Sequence, residues 1–341
     1  MTHLRADGRF PAVSSQWFAL ILALLGVIAT VGGGCASRDT PPVLLGEYKK
    51  ILERQKAGMP MEDDVTKKLP EMTAAEHERL GDTYLRQGNL NMAFLQYDKA
   101  LRMEPSQVRV RYKVGLLFLK RDTADEALKE FQEILKQDAK YALGYEGTGQ
   151  SLLKMHRYAE AEQYFRQALA LDAALWQCHN FLGIVYDRQK RFDEAIAEYQ
   201  AAITIKPDQR FLYNNLGISY LYKGDYDLAV WAFTEALKDE SSQHKVYNNL
   251  GAALAKLGRY DQALEAFKSG GDEAKAYNNL GVIYLGEKRY REAATAFEKA
   301  VQLSPSYYLR ASENLKLTRQ ALSEVSSVSA TASKRVAPPL R

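Results

Sequence analysis

Cysteine is nearly absent from this chain of 341 residues, which has two, Cys35 and Cys178. A disulfide framework is therefore excluded as the source of its stability. Histidine is sparse as well. His3, His77, His156, His179 and His244 are scattered, and none stands at metal-ligand spacing from a second His or Cys, so no metal site is expected. Phosphate-binding glycine loops, dinucleotide fingerprints and nucleophile elbows are all missing. With them goes an enzyme reading, and no cofactor is called for. Charge of one sign is also lacking: Lys and Arg number 46 against 42 Asp and Glu, a net of +4. No nucleic-acid-binding motif accompanies it, so nucleic acid is not an expected partner. The apolar run from Trp17 to Val31 is shorter than the about 20 residues that a spanning helix needs.

What the chain does have is a period. Between Ala74 and Tyr307 a frame of about 34 residues returns seven times. With the frame glycine counted as position 8, that position is filled by Gly81, Gly115, Gly149, Gly183, Gly217, Gly251 and Gly281. An alanine follows twelve residues later each time, from Ala93 to Ala293, and an aromatic stands at position 24, from Tyr97 to Phe297. Positions 4, 7, 8 and 11 share one face at helical spacing. The small residues let two helices approach closely while the aromatic fills their seam. This frame resembles the tetratricopeptide repeat. The resemblance implies an all-α, right-handed superhelix of seven helix pairs over 74–307, because one repeat cannot bury its face alone. A capping helix is expected over 308–325, with Leu309, Leu315, Leu317 and Leu322 covering the last repeat, and a disordered tail over 326–341. The sixth repeat is four residues short, and its Gly270-Gly271 reads as a tight turn.

The N-terminus has a different grammar. Arg5 and Arg9 precede the apolar run, and Gly32-Gly33-Gly34-Cys35-Ala36-Ser37 follows, the order of a signal peptide over 1–34. It resembles a bacterial lipoprotein signal, which implies a lipid on Cys35 as the mature N-terminus and so a membrane anchor. Gly32 stands where such signals usually carry Leu. Cleavage after Ala36, retention as a short anchor, and an incidental Cys remain the alternatives. Ala36 in place of Asp implies, by the same resemblance, the outer membrane facing the periplasm. Residues 35–73, broken by Pro41-Pro42, Pro60 and Pro70, form a spacer with a short helix expected from Leu44 to Lys56, and Thr73-Ala-Ala-Glu76 is a capping box that opens the first repeat helix.

Positions 2, 5, 6, 9 and 13 point away from the packed face and line a groove. In the last three repeats positions 5 and 6 are both Asn: Asn214-Asn215, Asn248-Asn249 and Asn278-Asn279. Asn is a poor choice inside a helix, so six of them ask for a reason. Each amide carries a donor and an acceptor, which suits the backbone of an extended peptide. Apolar Ile184, Ile218 and Val282 at position 9 stand beside them. The alternative is that the amides bridge neighbouring helices. At position 6 the pattern resembles the asparagine ladder of the tetratricopeptide arm of O-linked N-acetylglucosamine transferase. The first half of the groove reads as basic, with Arg79, Arg109 and Lys113. The carboxylate clamp of chaperone-binding repeats, Lys at position 5 and Asn at position 9, does not recur.

Signal peptide, lipid site, spacer and repeats together resemble the tight-adherence pilus assembly lipoproteins, the TadD family. The more specific stretches are Phe267-Lys-Ser-Gly-Gly-Asp-Glu-Ala-Lys-Ala-Tyr-Asn-Asn-Leu-Gly281, Ser304-Pro-Ser-Tyr-Tyr308 and Ala311-Ser-Glu-Asn-Leu315. The resemblance implies a non-catalytic scaffold that helps assemble a pilus or secretion apparatus, with one of its components as the groove partner. The alternative is a scaffold or regulatory subunit of an enzyme of cell-envelope polysaccharide or peptidoglycan synthesis.

Overall fold

The computed structural model describes residues 72–238, 243–304 and 309–336. The signal segment, Cys35 and nearly all of the spacer lie outside the described residues. Fifteen α-helices and no strand occur among those described. Repeat one pairs α1 (Ala74–Arg86) with α2 (Leu90–Met103), and repeat two α3 (Val108–Lys120) with α4 (Ala124–Gln137). Repeats three and four are α5 (Ala142–Lys154) with α6 (Tyr158–Leu171) and α7 (Trp176–Arg188) with α8 (Phe192–Ile205). Repeats five to seven are α9 (Arg210–Lys223) with α10 (Tyr226–Ala236), α11 (Gln243–Lys256) with α12 (Tyr260–Ser269), and α13 (Glu273–Gly286) with α14 (Tyr290–Leu303). The last helix, α15, is Leu309–Val336.

The frame residues make the seam as their chemistry dictates. A Cβ on any of the seven position-8 glycines would come within 2.5–2.7 Å of the position-24 ring of the same repeat. The rings from Tyr97 to Phe297 and the position-20 alanines are buried throughout. Burying each ring contributes on the order of 1.5–3 kcal/mol. Two of the seven rings are Tyr, and each finds a carboxylate for its hydroxyl. Tyr97 donates to Asp82 at 2.7 Å and Tyr199 to Asp187 at 2.9 Å.

The turn between paired helices is also uniform. Position 15 adopts positive φ in all seven repeats: Gly88, Asp122, His156, Lys190, Gly224, Gly258 and Lys288. The next residue then donates its N–H to a carbonyl five residues back, as Asn89 to Tyr84 at 2.9 Å and Arg289 to Tyr284 at 2.8 Å. This left-handed closure satisfies carbonyls that a helix end leaves open. The capping box at Thr73 forms as its sequence requires, with Glu76 accepting from the Thr73 N–H at 2.7 Å.

Two expectations change. Gly270 sits at φ −86°, ordinary helical backbone, so the shortened repeat does not need it for a turn. It needs it for space, because a Cβ there would lie 2.9 Å from the His244 carbonyl oxygen. Asp272 then caps α13 at once, accepting from the Lys275 N–H at 2.8 Å. At the far end α15 runs well past 325 to Val336, since no Gly or Pro interrupts 309–336. Its covering residues are Ala311, Leu315 and Thr318, which are buried, whereas Leu309 and Leu317 face outward at 74% and 59% exposure.

Candidate functional site: the face of the first helices

Seven first helices lie side by side, and positions 5 and 6 stitch them together. Asn215 Nδ2 donates to Asn180 Oδ1 at 3.0 Å, Asn249 to Asn214 at 3.0 Å, Asn279 to Asn248 at 3.2 Å and Asn314 to Asn278 at 3.3 Å. Position 6 of one repeat thus reaches position 5 of the repeat before it, and Asn314 of α15, one place beyond that frame, makes the equivalent bond to Asn278. Of the two roles open to these amides, bridging is therefore occupied. Asn248 is engaged at both polar atoms, since its Nδ2 also donates to the His244 carbonyl at 3.0 Å. Asn180 and Asn278 are buried, while Asn214, Asn215, Asn249 and Asn279 remain partly open.

The first two repeats use the same two positions with ions in place of amides. Lys113, at position 6, pairs with Glu78, at position 5, and with Asp82, both at 2.7 Å. Arg109 joins Glu78 at 2.5 Å, and Glu78 is buried. The expected basic half of the groove is corrected accordingly: Arg109 and Lys113 are neutralised across the repeat boundary, and of the three cations Arg79 alone lacks a carboxylate partner in this cluster. Reading cations without the carboxylates one repeat earlier on the same face produced the error.

Between these two zones the stitching is interrupted. Position 5 of repeat three is Glu146 and position 6 of repeat four is Phe181. Glu146 is buried, with Gln150 donating to it at 2.8 Å from the next turn of its own helix. Burial pushes its carboxyl up to about 7, only partly offset by the Gln150 bond. Tyr112 and Cys178, also pushed upward by burial, sense its charge. Cys178 is an inert core thiol.

Along position 9, Ile184 and Ile218 are partly covered by the core while Val282 is 48% exposed. Two exposed aromatics that the sequence reading passed over frame this stripe in repeat five: Phe211 at position 2 and Tyr222 at position 13. His77 and His179 at position 4 face the paired helix, bonding Gln96 and Glu198 at 2.7 Å. No cluster of His, Cys, Asp and Glu suited to a metal occurs among the described residues, and no helix among them is long and apolar enough to cross a membrane.

Comparison with known proteins places this geometry. Residues 78–142, 147–210 and 214–270 match one tetratricopeptide repeat model, and residues 274–307 match a second. No curated protein matches the chain. Among solved structures, the Cut9–Hcn1 hetero-tetramer of the APC/C is similar at 23% identity over 81% of this chain, with a TM-score of 0.53. This chain spans about half of that one, 52%. A tetratricopeptide repeat protein from Parabacteroides merdae is similar at 17% identity over 72% of this chain and 98% of its own, with a TM-score of 0.50. MamA aligns at 28% identity over 49% of this chain and 97% of its own, with a TM-score of 0.41.

Proposed function

The chain belongs to the tetratricopeptide-repeat family, and on that footing we propose that it is a non-catalytic scaffold that holds a segment of a partner protein along its first helices. A lipid on Cys35 would tether it to the outer membrane, facing the periplasm, where it assists assembly of a pilus or secretion apparatus. The observation that carries the binding role is the partly open stripe of Ile184, Ile218 and Val282 beside the partly exposed amides of Asn214, Asn215, Asn249 and Asn279, each of which has more hydrogen-bonding capacity than one bridge uses. The pilus assignment is supported by the resemblance of the stretches at 267–281, 304–308 and 311–315 to the TadD family. The anchor is supported by the order of charged, apolar and small residues before Cys35.

Two measurements test this. A fatty-acid analogue fed to producing cells should label the natural chain and not Cys35→Ser; equal labelling of both, or of neither, removes the anchor. A photo-crosslinking residue at Ile218 or Val282, activated in intact envelopes, should trap a pilus or secretion component. Trapping an enzyme of polysaccharide or peptidoglycan synthesis instead would move the scaffold to envelope synthesis.

A further inference from the structure

Resting on the reading that the first-helix face holds a partner segment, we propose that this segment is acidic, carries an aromatic or large aliphatic side chain, and seats on repeats four to six. Phe211, Ile218 and Tyr222 fall on one face of α9, spaced by whole helical turns. Phe211 is 46% exposed and Tyr222 is 69% exposed, yet neither ring is loose. Trp176 supports Phe211 at 6.0 Å between ring centres, and Phe192 stacks on Tyr222 at 6.0 Å and 14°. Their positions are therefore set before a ligand arrives, which lowers the ordering cost of binding.

Cations surround this column. The amide bonds from Asn215 to Asn180 and from Asn249 to Asn214 fix the register of α7, α9 and α11, so equal frame positions lie side by side. Packed helices are about 8–10 Å apart. Arg188 and Lys256 thus flank Tyr222 at position 13, and Lys245 stands beside Phe211 at position 2. All three are exposed; Arg188 also feels the adjacent Asp187 carboxylate, while Lys245 and Lys256 form no ion pair among the described residues. Groove positions 2, 5, 6, 9 and 13 of repeats four to six contain no carboxylate. Arg188 and Lys256 also complement the ends of their helices, but Lys245 lies in the first turn of α11, where a cation opposes the helix dipole. No carboxylate among the described residues is paired with it. A carboxylate-bearing chain with an apolar anchor matches the whole arrangement. A nucleic-acid strand does not, because neutral amides and Ile218 interrupt the cationic track it needs.

The test pans a randomised dodecapeptide display library against the full chain and measures the enriched peptides by fluorescence anisotropy. Enriched sequences should be rich in Asp and Glu around Phe, Tyr, Trp or Leu, and their affinity should fall with added salt. Lys245→Glu with Lys256→Glu should weaken the best peptide about tenfold or more through like-charge contact, with the melting temperature little changed because the helix-dipole gain at 245 offsets the loss at 256; Tyr222→Ser should weaken it independently. Enrichment without acidic excess, or affinity indifferent to the charge reversal, overturns this inference and leaves the scaffold reading standing. No enrichment of any sequence sinks both. Tighter binding of oligothymidylate than of any enriched peptide would reassign the face to nucleic acid.

Discussion

Single residues decide whether a repeat closes, and position 15 shows how. Seven turns place that residue at positive φ, but only Gly88, Gly224 and Gly258 suit the conformation without cost. Lys190 and Lys288 hold it at φ of 60° and 61°. A side chain in the left-handed region costs about 1–2 kcal/mol, less what Gly loses in the unfolded chain. Lys190→Gly should therefore raise stability by about 1 kcal/mol, and Gly224→Ala should lower it by a similar amount, both read from chemical denaturation. No change on Lys190→Gly would mean that the turn relaxes to accommodate its side chain. The frame glycines, alanines and rings were legible in the sequence because their sizes alone impose the close approach. Position 15 was not, since the backbone geometry is set by the turn and four of seven repeats tolerate a residue that does not advertise it.

At the scale of the element, α5 is the helix that departs most from its neighbours. Its glycines bring it close to the preceding helix: a Cβ on Gly147 would lie 2.3 Å from the Phe131 ring. Thr148 and Ser151 bond back to carbonyls of their own helix, at 2.8 and 3.0 Å. Glu146 is thereby enclosed without a cation. Its carboxyl keeps a proton in the folded state up to about pH 7, whereas the unfolded chain releases it near 4.5. The folded state binds the extra proton, so stability is fully present below about pH 4.5 and is lost as pH rises through 7. The loss at neutral pH is about 3 kcal/mol. Glu146→Gln should match the natural chain at pH 4.5 and exceed it in melting temperature at pH 7.5. A difference that stays constant across that interval would show that the carboxyl is hydrated and not enclosed. Sequence placed Glu146 in the frame but gave no sign of its isolation, which follows from Phe181 replacing the donor that repeats five to seven supply. The cap was legible as a helix, while its covering stripe depended on rotation: Leu315 turns in and Leu317 turns out.

For the molecule as a whole, a repeat array gains stability from each unit and from each boundary between neighbours, and the boundary terms propagate order along the chain. The boundary between repeats one and two uses the Glu78–Lys113 and Asp82–Lys113 ion pairs, whereas boundaries from repeat four onward use amide pairs. Position 5 meets position 6 in both cases, which explains how neighbouring repeats keep register with different chemistry. The sequence showed the Asn pairs and could not choose their role, because the choice depends on the offset between adjacent helices. Asn180, at one end of the amide series, was recoverable in principle from the frame alone, whereas Asn314 at the other end stands one place beyond the strict frame. Replacing Asn215, Asn249 and Asn279 together by Ala removes three donors and leaves acceptors at Asn180, Asn214 and Asn248, of which Asn180 is buried. Each lost bond should cost about 0.5–1.5 kcal/mol. For a domain of this size each kcal/mol lowers the melting temperature by roughly 2–4 °C, so a lowered and broadened thermal transition is expected. Hydrogen exchange should show the earliest opening at the boundaries of repeats five to seven, with repeats one and two retained. An unchanged transition together with a lost peptide affinity would reverse the ranking of the two roles, making the amides ligand contacts first and helix bridges second.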